Sequence, residues 1–116
     1  MAPYKRLLAW QECHKLVLAI YKATESFPKH ELYGLTSQLR RAAFSAGANI
    51  VEGVSRKGSN EFRRFLDIAL GSLGEIQYGL EVAVALNYIK QETFATLESQ
   101  QRRAQFLTWK LKTSLP

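Results

Sequence analysis

The stretch Asn60 to Asn87, NEFRRFLDIALGSLGEIQYGLEVAVALN, decides how this chain folds. Its apolar positions Phe62, Leu66, Ala69, Leu73, Ile76, Leu80 and Ala83, extended by Asn87, alternate steps of four and three without a break. That spacing predicts one amphipathic helix over residues 60 to 87, a rod of roughly 40 Å at 1.5 Å per residue. Beside the main stripe runs a second, Phe65, Ile68, Ser72, Glu75, Gly79, Val82 and Leu86. It is displaced by about 100°, so the largely apolar arc approaches roughly 200°. A helix in a monomeric bundle needs an arc only a little over about 100° wide, so something besides two neighbouring helices is expected to cover this one.

Outward from this rod, the run Ser55-Arg56-Lys57-Gly58-Ser59 reads as a loop, with Ser59 as N-cap, Glu61 in the first turn and Gly53 as a left-handed C-cap of the preceding helix. That helix spans about 35 to 52 on the stripe Leu35, Leu39, Ala42, Ala43, Ala46 and Ile50. A first helix, about 7 to 26, carries Trp10, Cys13, Val17 and Ile20, flanked by Leu16 and Tyr21, and Phe27-Pro28 stops it. A fourth, about 91 to 113, carries Phe94, Leu97, Ala104, Leu107 and Leu111 around a polar middle, Gln100-Gln101-Arg102-Arg103. Four helices joined by short loops pack as an all-α, antiparallel up-down-up-down four-helix bundle, a single domain over residues 1 to 116.

Composition agrees. The chain has 116 residues, 47% hydrophobic and 22% charged, with prolines only at positions 3, 28 and 116, which leaves long stretches free to be helical. The lone cysteine, Cys13, rules out an intramolecular disulfide or a multi-cysteine metal site and suits a reducing cytoplasm. The N-terminal residues lack the apolar core of a secretion signal, and no run reaches the roughly 18 apolar residues of a membrane span. The expectation is a cytoplasmic protein that does not enter the membrane.

No catalytic group assembles. His14 and His30 lie in no catalytic motif, and the adjacent pair Cys13-His14 points about 100° apart on a helix, so the two cannot share a metal. Gly71, Gly74 and Gly79 lie inside the strongest helix and not between a strand and a helix, so they form no phosphate loop. Glu-x-x-His metal motifs of the kind some bundles carry are missing. The reading is a protein that is not an enzyme and that uses no cofactor or metal.

Gly47, Gly71, Gly74 and Gly79 each cost up to about 1 kcal/mol relative to alanine within a helix. Close helix approach is the usual reason, with Trp10, Phe44, Phe65 and Tyr78 as candidates to fill the notches. On the second helix, Arg41, Ser45, Ala48, Asn49, Glu52 and Arg56 form a polar seam opposite the leucines, either a solvated face or a subunit interface. Wide arc, glycines and seam together favour a homo-oligomer.

The net charge is +6, which favours polyanionic partners. Arg40, Arg41, Arg56, Lys57, Arg63 and Arg64 face only Glu52 and Glu61 within residues 40 to 64, a local balance of +4. A second group is Arg102, Arg103, Lys110 and Lys112. Arg56, Lys57, Arg63 and Arg64 fall where the second and third helices turn, a compact target for phosphates or else an ordinary solvated loop.

The runs Tyr33-Gly34-Leu35-Thr36-Ser37-Gln38-Leu39-Arg40-Arg41-Ala42-Ala43, Asn49-Ile50-Val51-Glu52-Gly53 and Glu61-Phe62-x-Arg64-Phe65-Leu66-x-Ile68-Ala69-Leu70-Gly71-Ser72-Leu73-x-Glu75 resemble the bacterial four-helix bundle proteins named for the 23S rRNA intervening sequence. The resemblance covers roughly residues 5 to 112. It implies a homopentamer of largely undefined role, related to the accessory variability determinant of diversity-generating retroelements, a basic pentamer that binds nucleic acid and assists a reverse transcriptase. The pattern bears on Arg40, Arg41, Ser45, Asn49, Glu52, Gly53, Arg64, Phe65, Ser72 and Glu75, several of them seam positions. Two departures are Ala46-Gly47, where the family often has an apolar residue and a proline, and Lys90, where a serine cap often stands.

The resulting expectation is an oligomer that binds RNA or DNA through phosphates at Arg40, Arg41, Arg56, Lys57, Arg63 and Arg64, with Arg41, Ser45, Asn49, Glu52, Phe65, Ser72 and Glu75 at the seam. The alternative is a scaffold that docks a protein partner, for example as accessory subunit to a reverse transcriptase, its arginines serving subunit contacts.

Overall fold

A proline with φ near −56° follows the first helix, and the chain turns there into a second antiparallel rod. The computed structural model describes residues 2–116. A short 3₁₀ helix, Pro3–Arg6, precedes α1 (Leu8–Thr24); a second, Lys29–Glu31, precedes α2 (Leu35–Val54); α3 (Ser59–Ala85) and α4 (Gln91–Ser114) follow. The four expected helices are present, with starts at 35 and 91 unchanged and the other ends shifted by one or two residues.

Cross-helix contacts show the antiparallel topology. Leu39, early in α2, lies against Gly79, late in α3, while Gly53, late in α2, lies against Phe62 and Phe65, early in α3. Between α3 and α4 the amide of Gln101 donates to the Leu73 carbonyl at 2.8 Å, and the amide of Gln77 to Glu98 at 2.7 Å. Arg103 pairs with Glu12 across α4 and α1, and Arg40 of α2 reaches Thr24 at the end of α1. The bundle measures 44 × 24 × 24 Å, in keeping with the length of its longest helix. Leu16, Ile20, Leu39, Ile50, Leu66, Leu73, Ile76 and Leu80 fill its axis, all essentially solvent-free.

The helix ends differ from expectation in three places. Gly53 is not a left-handed cap: it is buried within α2, where an added Cβ would lie 2.8 Å from the Phe62 ring. Its missing side chain admits α3, and the left-handed residue is Gly58 instead, at φ +84°, which is the N-cap of α3. Ser59 is accordingly the first helical residue, and no side chain caps α3. Asn87 lies beyond the helix at φ +62°, where Tyr88 N–H donates to the Ala83 carbonyl and Asn87 N–H to that of Val84, a Schellman ending. Asparagine tolerates this backbone well, so a residue read as the last of a stripe is the one that stops the helix.

The N-terminus of α2 is capped from upstream. Glu31 accepts the Leu35 N–H at 3.0 Å and the Tyr88 hydroxyl at 2.9 Å, joining the two loops at one end of the bundle. The N–H bond first, then that hydroxyl, hold the Glu31 carboxyl below the usual carboxylate range.

Candidate subunit seam and nucleic-acid interface

The polar seam is one structural unit between α2 and α3. Helical spacing puts Arg41, Ser45, Asn49 and Glu52 on one face of α2, and the antiparallel register brings Ser72 and Glu75 of α3 beside them. The Ser72 hydroxyl donates to Ser45 Oγ at 2.9 Å, and Asn49 Nδ2 donates to the Ser45 carbonyl at 2.8 Å. Above them opens a cleft of about 360 Å³ lined by Gln38, Arg41, Ala42, Ser45, Ser72 and Glu75. Arg41 and Glu75 are exposed, and among the described residues neither has an ion-pair partner. Opposite charges on one cleft without a bond between them leave both free for a second molecule.

The six basic residues do not form one patch. Arg40 and Arg41 precede Arg56 by 16 and 15 residues, and about 20 Å of α2 separates them from the turn in which Arg56 lies. Arg40 is occupied: it donates Nε to the Thr24 hydroxyl at 2.8 Å and a terminal nitrogen to the Tyr21 carbonyl at 3.3 Å, with its guanidinium 4.8 Å from the Tyr21 ring. It thus serves the orphan carbonyls at the end of α1. Arg63 turns the other way, to Asn60 and to the carbonyls of Leu115 and Pro116.

What gathers at the α2–α3 turn is Arg56, Lys57 and Arg64. The Arg56 and Arg64 guanidinium carbons lie 5.1 Å and 5.5 Å from the centre of the same Phe65 ring. Arg56 also pairs with Glu52 at 2.6 Å and Arg64 with Glu61 at 3.7 Å, and Lys57 is exposed in the turn. Stacking on the ring holds both planar cations at the surface, where their remaining N–H donors face outward to solvent or anions. In the second basic group Arg102, Arg103 and Lys112 pair with Glu98, Glu12 and Asp67, and Lys110 is without such a partner.

The helix glycines split into two kinds. Trp10 lies over Gly47, as expected, and Leu39 over Gly79. Gly71 and Gly74 face open space, with no atom within 4 Å of where a Cβ would be. Phe44 and Tyr78 fill no notch; they are 64% and 69% exposed. The second stripe of α3 is also divided, since α2 covers Ser72 and Gly79 but leaves Ile68 and Leu86 exposed. Ile68, Gly71 and Tyr78 therefore form an uncovered ridge on the outer face of α3.

Two grooves were not legible in advance. One, of about 560 Å³ between α1 and α2, includes Tyr4, Trp10, Leu18, Tyr21, Phe44 and Val51. Trp10 there carries Tyr4 edge-on and His14 stacked at 4.8 Å, which turns His14 outward while Cys13 is buried in the core. Burial pushes the Cys13 thiol up to about 11. The other, of about 700 Å³, lies between α3 and α4. The available signal was Phe106 and Trp109 three residues apart, off the leucine stripe of α4. Among the described residues no three His, Cys, Asp or Glu side chains gather as a metal site, and no helix is long and apolar enough to cross a membrane.

The family described as 23S rRNA-intervening sequence protein matches the chain over residues 5–108. The fold is similar to a crystal structure of a protein with unknown function from the S23 ribosomal protein family of Bacteroides thetaiotaomicron. That likeness has a TM-score of 0.82 at 22% identity and covers 92% of this chain and 100% of that one. No curated protein matches. Neither description names an enzymatic activity.

Proposed function

The chain belongs to the 23S rRNA-intervening sequence protein family, and we propose that it is a non-enzymatic cytoplasmic homo-oligomer that binds structured RNA through phosphates at the α2–α3 turn. The observation that carries the reading is the grouping of Arg56, Lys57 and Arg64 about Phe65. An exposed guanidinium held by a ring offers a bidentate fork to a phosphate with little further loss of side-chain freedom. Each turn has only a small excess of positive charge, so repetition of the turn in an assembly supplies the affinity. Arg41 leaves the phosphate site in this reading and joins Glu75 at the seam, since the two line one cleft without pairing within the chain. The uncovered ridge of α3 with its open glycines supports association with further copies, and the family resemblance supports five.

The test is anisotropy of labelled structured RNA with nuclease-treated protein at several salt concentrations. Changing Arg56 and Lys57 together to glutamate is expected to weaken binding and to flatten the slope of log K against log salt by about 0.9 for each phosphate no longer neutralised. Unchanged affinity in a folded double variant overturns the site. Capture of a specific protein that persists after nuclease treatment, without RNA affinity, favours the scaffold instead.

A further inference from the structure

The outer edges of α2 and α3 carry a charge pattern that the chain itself leaves unused. Leu39 lies against Gly79, the Ser72 hydroxyl bonds Ser45, and Gly53 lies against Phe65, so each step forward along α2 is matched by a step back along α3. On this register three positions of α2 stand within two residues, about 3 Å of rise, of three on α3. Arg41 is level with Glu75, Ala48 with Ile68, and Glu52 with Arg64. Both sets are spaced by seven and four residues, so each lies along one face of its helix. At both charged heights the signs are opposite. Between them a small side chain stands level with an isoleucine that is 42% exposed.

Within the chain Arg41 and Glu75 are exposed and have no ion-pair partner among the described residues, whereas Glu52 and Arg64 are paired along their own helices with Arg56 and Glu61. A rotation about an axis parallel to the bundle carries one copy to the next without changing the height of any residue. If α2 of one copy is set against α3 of the next by such a rotation, Arg41 meets opposite charge, Ile68 meets the small Ala48, and no like charges are opposed at Glu52 and Arg64. The match is the same for two copies and for a larger closed ring. End-for-end placement, α2 against α2, instead sets Arg41 against a Glu52 that is already paired in its own chain.

We propose that copies of this chain associate side by side and parallel, α2 of one against α3 of the next, joined by an ion pair between Arg41 and Glu75 of the partner subunit, with Ile68 seated over the partner's Ala48. The proposal rests on the homo-oligomer reading above and is independent of the phosphate reading. The ion pair selects which faces meet and at what height, since like charges opposed at a contact are costly. Removal of Ile68 from water adds attraction that does not depend on salt.

The experiment is sedimentation velocity of the full chain over a concentration series. Arg41→Glu and Glu75→Arg, each alone, oppose like charges at the contact and are expected to weaken association at least roughly 10-fold. Mixing the two variants in equal amounts restores opposite charges wherever unlike chains meet, so mixed oligomers are expected at concentrations where neither variant assembles alone. Ile68→Asp, at an exposed position, is expected to weaken association while the monomer keeps its helical signal. Circular dichroism on each variant checks that signal. Assembly unmoved by either single reversal overturns the contact and leaves the homo-oligomer reading standing. Variants that assemble neither alone nor together also overturn it, because mixing repairs neither an ion pair made within each chain nor an end-for-end contact. An unsubstituted chain that stays monomeric through the whole series overturns both readings.

Discussion

Replacing Gly71 and Gly74 together by alanine tests whether the outer face of α3 is built for another subunit. Each glycine lowers helix stability by about 0.8–1.0 kcal/mol relative to alanine, and within the chain nothing within 4 Å of either position opposes an added methyl. The double variant should therefore stabilise the isolated bundle by about 1.5–2 kcal/mol. In a packed subunit contact the same methyls meet atoms, and overpacking costs about 1–3 kcal/mol, so association should weaken by roughly 5- to 150-fold. Urea unfolding at concentrations where the chain is monomeric reads the first effect, and sedimentation velocity over a concentration series reads the second. Gly79→Ala is the internal contrast, since its Cβ would lie 2.5 Å from a Leu39 methyl and should destabilise the monomer itself. A double variant that gains stability but assembles as before refutes the subunit role of the ridge; one that gains no stability refutes the reading of open space.

Three further outcomes follow from the geometry. Cys13 should resist thiol reagents until the bundle opens, and because its folded pKa is raised from 9.0 to about 11, stability that is complete below pH 9 should decline as pH rises through that window, a decline absent in Cys13→Ser and readable by urea titration. Glu31 runs the opposite way: its carboxyl is lowered by the Leu35 N–H and the Tyr88 hydroxyl, so its contribution is present above the ordinary carboxylate pKa and lost on acidification, and Glu31→Gln should flatten the acid limb of a melting series. Arg40→Ala should lower stability by about 1–3 kcal/mol by leaving the buried Thr24 hydroxyl oxygen without its donor, yet leave RNA affinity unchanged, as anisotropy beside a denaturation curve will show.

The helices were legible because periodicity reports burial directly: Phe62 to Ala83 repeats at three and four, and those residues line the axis. The seam was legible for the same reason, since Arg41, Ser45, Asn49 and Glu52 share a face whatever packs beside it. The pairing of the charged side chains was not, because spacing along a chain ignores where a flexible side chain finds a partner. Arg40 and Arg41 are neighbours in sequence, and one is tied to α1 while the other stands over a cleft. The glycines show the same limit. Gly53 and Gly79 are filled notches and Gly71 and Gly74 are open, a difference set by α2 and invisible from α3 alone.

The polar middle of α4 interrupts an otherwise apolar interface. Gln101 is 2% exposed, and its amide bonds the Leu73 carbonyl at 2.8 Å and Gln105 at 2.7 Å. Leucines and alanines pack nearly as well one turn displaced, and they distinguish poorly between a bundle that turns left and one that turns right. A buried amide does distinguish, because every alternative alignment strands it at a cost of about 1–3 kcal/mol. Its contribution is thus to uniqueness more than to strength: Gln101→Leu should yield a bundle of comparable melting temperature whose fourth helix samples more than one alignment.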